Sequence, residues 1–282
     1  MKKDVSIILP SIRPQFLETF YASVQTACQN HTFEIVIPTP FDVPDDIKRR
    51  ENVKILKTHT TPTVAKQMAI QLCNSEFLYN CTDDGFMLEN VIDDAIEMHR
   101  KDLSSKDVVN MIYVEGVLDP ITLQPKTDRI EPWPSSYWHP WSHPELRIPG
   151  IKPEWRVSLH FFMKLDCFME LGGLDCQWEY SNHAIHDIMY RAQQNGGKII
   201  DFPRVAYVCS HFPNRTGDHG PINDAQSGPD TEIFNRIYNE PDAAEKRLHI
   251  PYDNWKNYPD VWKRRFSADV LPITRTEYEQ SI

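Results

Sequence analysis

Glycine is scarce, with 10 residues in a chain of 282, and none of them forms a phosphate cradle. The first apolar run, Val5-Ser6-Ile7-Ile8-Leu9, is followed by Pro10 and not by GxGxxG, and no GxxxxGK[ST] occurs anywhere. That weighs against dinucleotide oxidoreductases and P-loop enzymes, whose glycines let backbone N–H groups close on phosphate. The GxSxG nucleophile elbow and the HExxH zinc helix are absent as well. The 6 cysteines never fall into CxxC, and Leu72-Cys73 and Val208-Cys209 place them in apolar company. Buried, reduced thiols are placed this way, so a zinc or disulfide framework is disfavoured. No apolar run approaches the ~20 residues that span a bilayer. MKKDVSIILP enters a strand with neither an h-region nor a small-residue cleavage site. Positive charge is in deficit, 30 Lys and Arg against 40 Asp and Glu for a net −10. A nucleic-acid backbone footprint is not favoured by that balance, and the compact basic run Lys263-Arg264-Arg265 reads as a solvated or packing segment. A soluble, cytoplasmic protein without a transmembrane segment is expected, and no repeat, low-complexity tract or interdomain linker stands out.

What the chain does have is alternation. Strand-length apolar runs at Val5–Leu9, Phe33–Ile37, Val53–Leu56, Phe77–Asn80 and Val108–Val114 are interleaved with helical patterns. The first helix shows Phe16, Leu17, Phe20, Val24, Ala27 and Cys28; the second opens at Pro62 with Val64, Ala65, Met68, Ala69 and Leu72; the third shows Val91, Ile92, Ala95, Ile96 and Leu103. Such alternation predicts an α/β fold with a mostly parallel central sheet covered by helices on both faces. In those sheets ligands gather beyond the carboxyl ends of the strands. Three polar features fall at such ends: Ser11 to Arg13, Pro38 to Phe41, and Asp83-Asp84. Beyond residue 128 the texture changes to an aromatic, proline-rich stretch holding Trp133, Trp138, Trp141 and Trp155, which either lines an acceptor site or covers the sheet as a lid. Regular pattern resumes at Val157–Leu165, then a helix at about Ser181–Gln194, short strands at Lys198–Asp201 and Val205–Cys209, and a helix near Thr231–Asn239.

The stretch FLYNCTDDGFM ends an apolar strand in two adjacent carboxylates. Like charges side by side repel and are costly to desolvate. A divalent cation supplies a reason for both: Asp84 binds Mg²⁺ or Mn²⁺ and Asp83 orients a ribose or a water, while a nucleotide's phosphates complete the shell. An ordinary Asp-Asp-Gly turn is the alternative. On the helix 181–194, His183 and Asp187 are spaced i, i+4 off the apolar stripe. Asp187 is a general-base candidate or an acid paired with His183 or Arg191. His186 is read as structural. His211 and His219 are candidate additional metal ligands, or histidines satisfied by backbone carbonyls.

In order, three blocks resemble family 2 glycosyltransferases: VSIILPSIRPQFLETFYASV, TPTVAKQMAIQLCNSEFLYNCTDDGFML, and GGLDCQWEYSNHAIHDIMYRAQQNGGKI, over roughly residues 4 to 210. The resemblance implies the GT-A fold, with a single catalytic domain over 1–240 (nucleotide-binding half about 1–120, acceptor-side half about 121–240) and a C-terminal extension, 241–282, packed on it. It implies transfer of a sugar from a UDP- or GDP-sugar to an acceptor hydroxyl with Mn²⁺ or Mg²⁺. Pro10, Ser11, Arg13, Asp42, Gln67 and Asp83 would sit at the nucleotide-sugar site. Asp84 would hold the metal with His219 or His211, Asp187 or His183 would serve as base, and Trp133, Trp138, Trp141 and Trp155 would face the acceptor. Two positions depart from the family's pattern. Pro38-Thr39-Pro40 replaces the acid that reads the base, leaving Asp42 as a substitute candidate, and the acidic pair expected before Arg191 falls on Ala184-Ile185. A non-catalytic carbohydrate- or nucleotide-binding protein on the same fold, and a nucleotidyltransferase, are the alternative readings.

Overall fold

The computed structural model describes residues 2–118, 125–132, 136–138, 148–210 and 226–258. The strands in chain order are β1 Lys3–Ile8, β2 Phe33–Thr39, β3 Val53–Lys57, β4 Ser75–Asn80, β5 Gly85–Met87, β6 Val108–Asn110, β7 Tyr113–Leu118, β8 Pro125–Pro132, β9 Ser136–Trp138, β10 Arg156–Ser158, β11 Phe161–Lys164, β12 Ile199–Asp201 and β13 Tyr207–Ser210. The α-helices are α1 Leu17–Ala27, α2 Asp45–Lys48, α3 Pro62–Ile70, α4 Val91–Asp102, α5 Leu165–Glu170, α6 Ser181–Gln194, α7 Thr231–Tyr238 and α8 Ala243–Lys246.

The main sheet has seven strands in the order β12-β6-β11-β4-β1-β2-β3. All neighbours are parallel except β11, which runs against β4 and β6. This is the α/β architecture with a mostly parallel sheet that the alternation predicts. The two-residue period of the strands divides the interior into two layers. Val5, Ile7, Ile35, Ile37, Phe77 and Tyr79 point into one, with α1 and α4. Ile8, Val36 and Leu78 point into the other, with α5 and α6. Among the described residues no helix is long and apolar enough to cross a membrane.

The apolar run expected as the fifth strand is divided, and so is the regular stretch that resumes at Val157. Val108–Val114 breaks at Met111-Ile112, so that β6 stays in the main sheet and β7 joins a smaller one of order β5-β13-β7-β8. The break is held by long-range backbone bonds: Met111 N–H donates to His160 O, and Ala206 N–H donates to Ile112 O at 2.7 Å. Val157–Leu165 likewise divides into β10 and β11, and Leu165 opens α5. The segment after α7 packs back on the sheet layer, with Ala243 and Ala244 buried beside α6.

Candidate functional site

A crevice opens at the carboxyl ends of β1 to β4, lined by the segments that follow each strand and by the first turns of α3 and α6. One wall is the loop after β1. Pro10 ends the strand, and Ser11 N–H donates to Pro38 O at 3.0 Å. Asp83 then gathers the loop. Its Oδ2 accepts from Ser11 Oγ (2.9 Å), Ile12 N–H (2.9 Å) and Arg13 N–H (3.0 Å), and its Oδ1 accepts from Arg13 Nη1 at 2.6 Å. Pro10, Ser11, Arg13 and Asp83 are therefore brought together, but Asp83 is spent on the loop itself. Its carboxylate latches two strand ends where the sequence suggests a free ribose ligand.

Asp84 is placed differently. The residue is half-buried, and its Oδ1 is enclosed without a hydrogen-bond partner among the described residues. Burial holds its pKa above the usual carboxylate value, against the opposing pull of the Arg13 charge. Gly85 follows because nothing larger fits: a Cβ there would lie 2.2 Å from Val208 O, where β5 pairs with β13.

The floor carries a group that the sequence reading passes over. Thr61 caps α3, accepting from Val64 N–H at 3.4 Å, with Pro62 at the first turn. One turn on, Lys66 lines the crevice at 4% exposure. Burial pushes its pKa down to about 8, although the Asp84 charge acts the other way. A lysine beside the apolar stripe of a short helix was the available signal.

The outer wall is Pro38–Pro40 with Thr58–Thr60. Thr58 N–H donates to Thr39 O, and the Thr58 and Thr60 hydroxyls are 3.1 Å apart. His59, another residue the sequence reading omits, lines this wall with its pKa lowered by burial and by Lys57. Asp42 does not line it; it is exposed and faces Lys57 at 3.5 Å. Opposite stand Tyr180 and Ser181. They are fixed by Asp230, which accepts from Glu179 N–H (3.0 Å) and Tyr180 N–H (2.8 Å).

Several expected site residues lie away from the crevice. Gln67 is fully buried; its Nε2 donates to Gly172 O (3.0 Å) and Tyr252 O (2.9 Å), and its Oε1 accepts from Leu174 N–H (2.9 Å). It clamps a turn and does not line the crevice. Asp187, expected as base, is at 0% exposure. Its Oδ2 accepts from Arg191 Nε at 2.7 Å, and its Oδ1 from Tyr238 OH at 2.8 Å and Arg247 Nε at 3.3 Å. Burial alone would raise its pKa, but the Arg191 and Arg247 charges hold it below the usual value. A carboxylate so enclosed and so paired faces the interior and not the crevice. His183 is buried against Phe234 (ring centroids 5.1 Å apart), with its pKa pushed down to about 4 by burial. It does not line the crevice either. Trp155 is buried and stacked on Tyr190 at 5.7 Å, so its face is used by the core and not offered to an acceptor. Trp138 enters through its backbone, paired with Arg156. Trp133, Trp141, His211 and His219 lie outside the described residues.

The metal expectation meets a mixed donor set. Among the described residues no group of three or more His, Cys, Asp and Glu is arranged to hold an ion. The enclosed, partnerless Oδ1 of Asp84 nevertheless fits a hard cation whose remaining positions are taken by water and phosphate oxygens.

No family model matches the sequence, and no curated protein matches it. By structure the chain is similar to GalNAc-T7, crystallised with UDP, GalNAc and Mn²⁺, at a TM-score of 0.57 and 14% identity over 97% of this chain. It spans 59% of that protein's chain. It is also similar to S. aureus TarS 1–349, at a TM-score of 0.54 and 13% identity over 99% of this chain and 77% of that one. The same protein in complex with UDP-GlcNAc gives 0.53 and 14%, over 97% and 74%. At these identities the likeness is one of fold: the chain has a GT-A-like α/β architecture, with its crevice at the carboxyl ends of the parallel strands.

Proposed function

We propose that the chain is a glycosyltransferase that moves a sugar from a nucleoside-diphosphate-sugar to an acceptor hydroxyl. The observation that carries the proposal is Asp84, whose enclosed oxygen has no partner among the described residues at the end of β4. It stands beside a loop that Asp83 holds rigid. The neighbours in fold support the reading, because GalNAc-T7 was crystallised with UDP and Mn²⁺ and TarS with UDP-GlcNAc.

The acceptor oxygen forms a bond to the anomeric carbon as the bond from that carbon to the diphosphate oxygen breaks. The electron pair of the broken bond stays on the departing diphosphate, and the hydroxyl proton passes to a diphosphate oxygen or to water. Asp84 would hold Mn²⁺ or Mg²⁺. When bound, such an ion neutralises charge developing on the leaving diphosphate. The chain's own share is positional. In this reading the Ser11–Arg13 loop, the Thr58–Thr60 wall and the pinned Tyr180–Ser181 segment, which line the crevice, would form an edge for the nucleoside, bound the base and face the donor from the acceptor side.

A second reading rests on one observation. Ala184 and Ile185, where the family's acidic pair would fall, are packed in the core. A protein that binds nucleotide-sugar without transferring it would look the same there. Hydrolysis and transfer assays over UDP- and GDP-sugars with Mn²⁺ separate the two: turnover in the wild type, lost in Asp84→Ala, is the expected result. Undiminished turnover in Asp84→Ala removes the metal assignment, and tight nucleotide binding with no turnover favours the binding protein.

A further inference from the structure

Resting on that reading of the crevice, we propose that Lys66 is a built-in binding group for the donor's diphosphate, so that the site recognises the diphosphate even without a divalent cation. Lys66 is 4% exposed and lines the crevice. It has no hydrogen-bond or ion-pair partner among the described residues; Asp84 reaches it only as a charge at a distance, and the Cys81 thiol is kept neutral by burial. An ammonium buried without a partner costs several kcal/mol of folding free energy. Such a cost persists where a ligand offsets it.

The neighbouring groups narrow what that ligand is. Arg13, the guanidinium on the same crevice, is bound by Asp83 at 2.6 Å. His160, a buried residue near enough to feel the Lys66 charge, is kept neutral by burial and by that charge, with its pKa at about 3 and its ring between Tyr113 and Tyr207 at 4.8 Å from each. Among the described residues the crevice thus presents an unpaired cation, Lys66, and an enclosed carboxylate oxygen, on Asp84, that do not pair with each other. A ligand with complementary parts satisfies both: phosphate oxygens on Lys66, and a cation carried by those phosphates on Asp84. A diphosphate has this character. A neutral sugar or a free nucleoside does not.

The test is titration calorimetry and thermal unfolding in EDTA with UDP, GDP, uridine, guanosine and inorganic pyrophosphate, on the wild type, Lys66→Met and Lys66→Arg. The wild type is expected to bind a nucleoside diphosphate more tightly than its nucleoside, and pyrophosphate is expected to raise its melting temperature. Lys66→Met should weaken diphosphate binding about tenfold or more, the worth of one charge-assisted hydrogen bond. It should leave nucleoside binding unchanged and melt no lower than the wild type, because it removes a buried unpaired charge. A lysine that merely supports the fold would lower the melting temperature on replacement. Lys66→Arg keeps the charge and should keep most of the diphosphate preference. Wild-type protein that binds these ligands only with Mn²⁺ overturns the inference and leaves the proposed function standing; this measurement needs no variant. Lys66→Met that binds diphosphates like the wild type in EDTA overturns it as well. Pyrophosphate bound through Lys66, with no affinity for any nucleotide, upholds Lys66 as an anion site and sinks the nucleotide-sugar reading.

Discussion

Asp83 and Asp84 are adjacent acids at the same strand end, yet the same substitution should move stability in different directions. Asp83→Asn puts an amide where a carboxylate accepts four donors, among them the Arg13 guanidinium at 2.6 Å. One of its oxygens becomes an NH₂ that faces other donors, and Arg13, itself 8% exposed, loses its counter-charge. Removing one partner of a buried pair costs about 3–5 kcal/mol. For a chain of this size that is a fall in melting temperature of roughly 6–20 °C, at ~2–4 °C per kcal/mol. Asp84→Asn removes a charge that burial disfavours and whose Oδ1 has no partner among the described residues, so it should sit within about 1 kcal/mol of the wild type or above it. The ligand response should invert. With Mn²⁺ and UDP or GDP at a hundred times Kd, the wild type gains about 2.7 kcal/mol by linkage. Asp84→Asn should lose the part of that gain that depends on Mn²⁺. Differential scanning fluorimetry with and without Mn²⁺ reads both effects. Equal destabilisation by the two variants would refute the division between a latch and a ligand-facing acid.

Gly172→Ala should be among the most damaging single changes, since Gly172 has φ +84° and a Cβ would lie 1.9 Å from the Ile250 carbonyl oxygen; denaturant unfolding should show a loss of several kcal/mol or no folded protein. Asp187→Asn strands the Arg191 charge, although Arg247 keeps Asp175, and should cost about 3–5 kcal/mol, while nucleotide affinity of the remaining folded protein, read by calorimetry, stays unchanged because Asp187 lies off the crevice. A base at Asp187 would instead show as lost turnover at intact stability. Asp93 should contribute to acid unfolding. Burial would raise its pKa, but His31 and the Gln29 and Asn30 N–H groups hold it below 3.8. Its stabilisation is therefore complete above about 3.8 and lost as pH falls through the lower folded value, so urea midpoints followed from pH 6 to pH 2 should fall less steeply in Asp93→Asn.

Local periodicity made the layers of this fold readable. Val5 and Ile7 alternate with Ser6 and Ile8, and this alone states which residues share a face; in the structure α1 and α4 cover one face and α5 and α6 the other. Periodicity reports a face, however, and not what distant chain covers it. Asp187 falls off the apolar stripe of α6 and so reads as solvent-facing, yet Tyr238 and Arg247, some fifty and sixty residues later, close over that side and turn it into interior. Only Arg191, four residues on, gave a local hint of its partner. The continuous apolar run 108–114 could not reveal that it serves two sheets, because the bonds that divide it come from His160 and Ala206.

The crevice shows the same limit at finer scale. Asp-Asp-Gly marks the strand end, but nothing in the three letters says which acid is spent on the Ser11–Arg13 loop. Side-chain alternation settles it in space: Asp83 turns toward the end of β1, and Asp84 shares the floor with Lys66. Lys66 was missed for the opposite reason. It stands beside an apolar stripe, where a lysine is ordinarily taken for the solvated edge of a helix, and only its enclosure turns it into a charge in need of a ligand. A buried ammonium and an enclosed carboxylate oxygen that leave each other unpaired are a worse core than two apolar side chains would make. Their joint presence on one crevice floor therefore selects for a ligand that carries both signs.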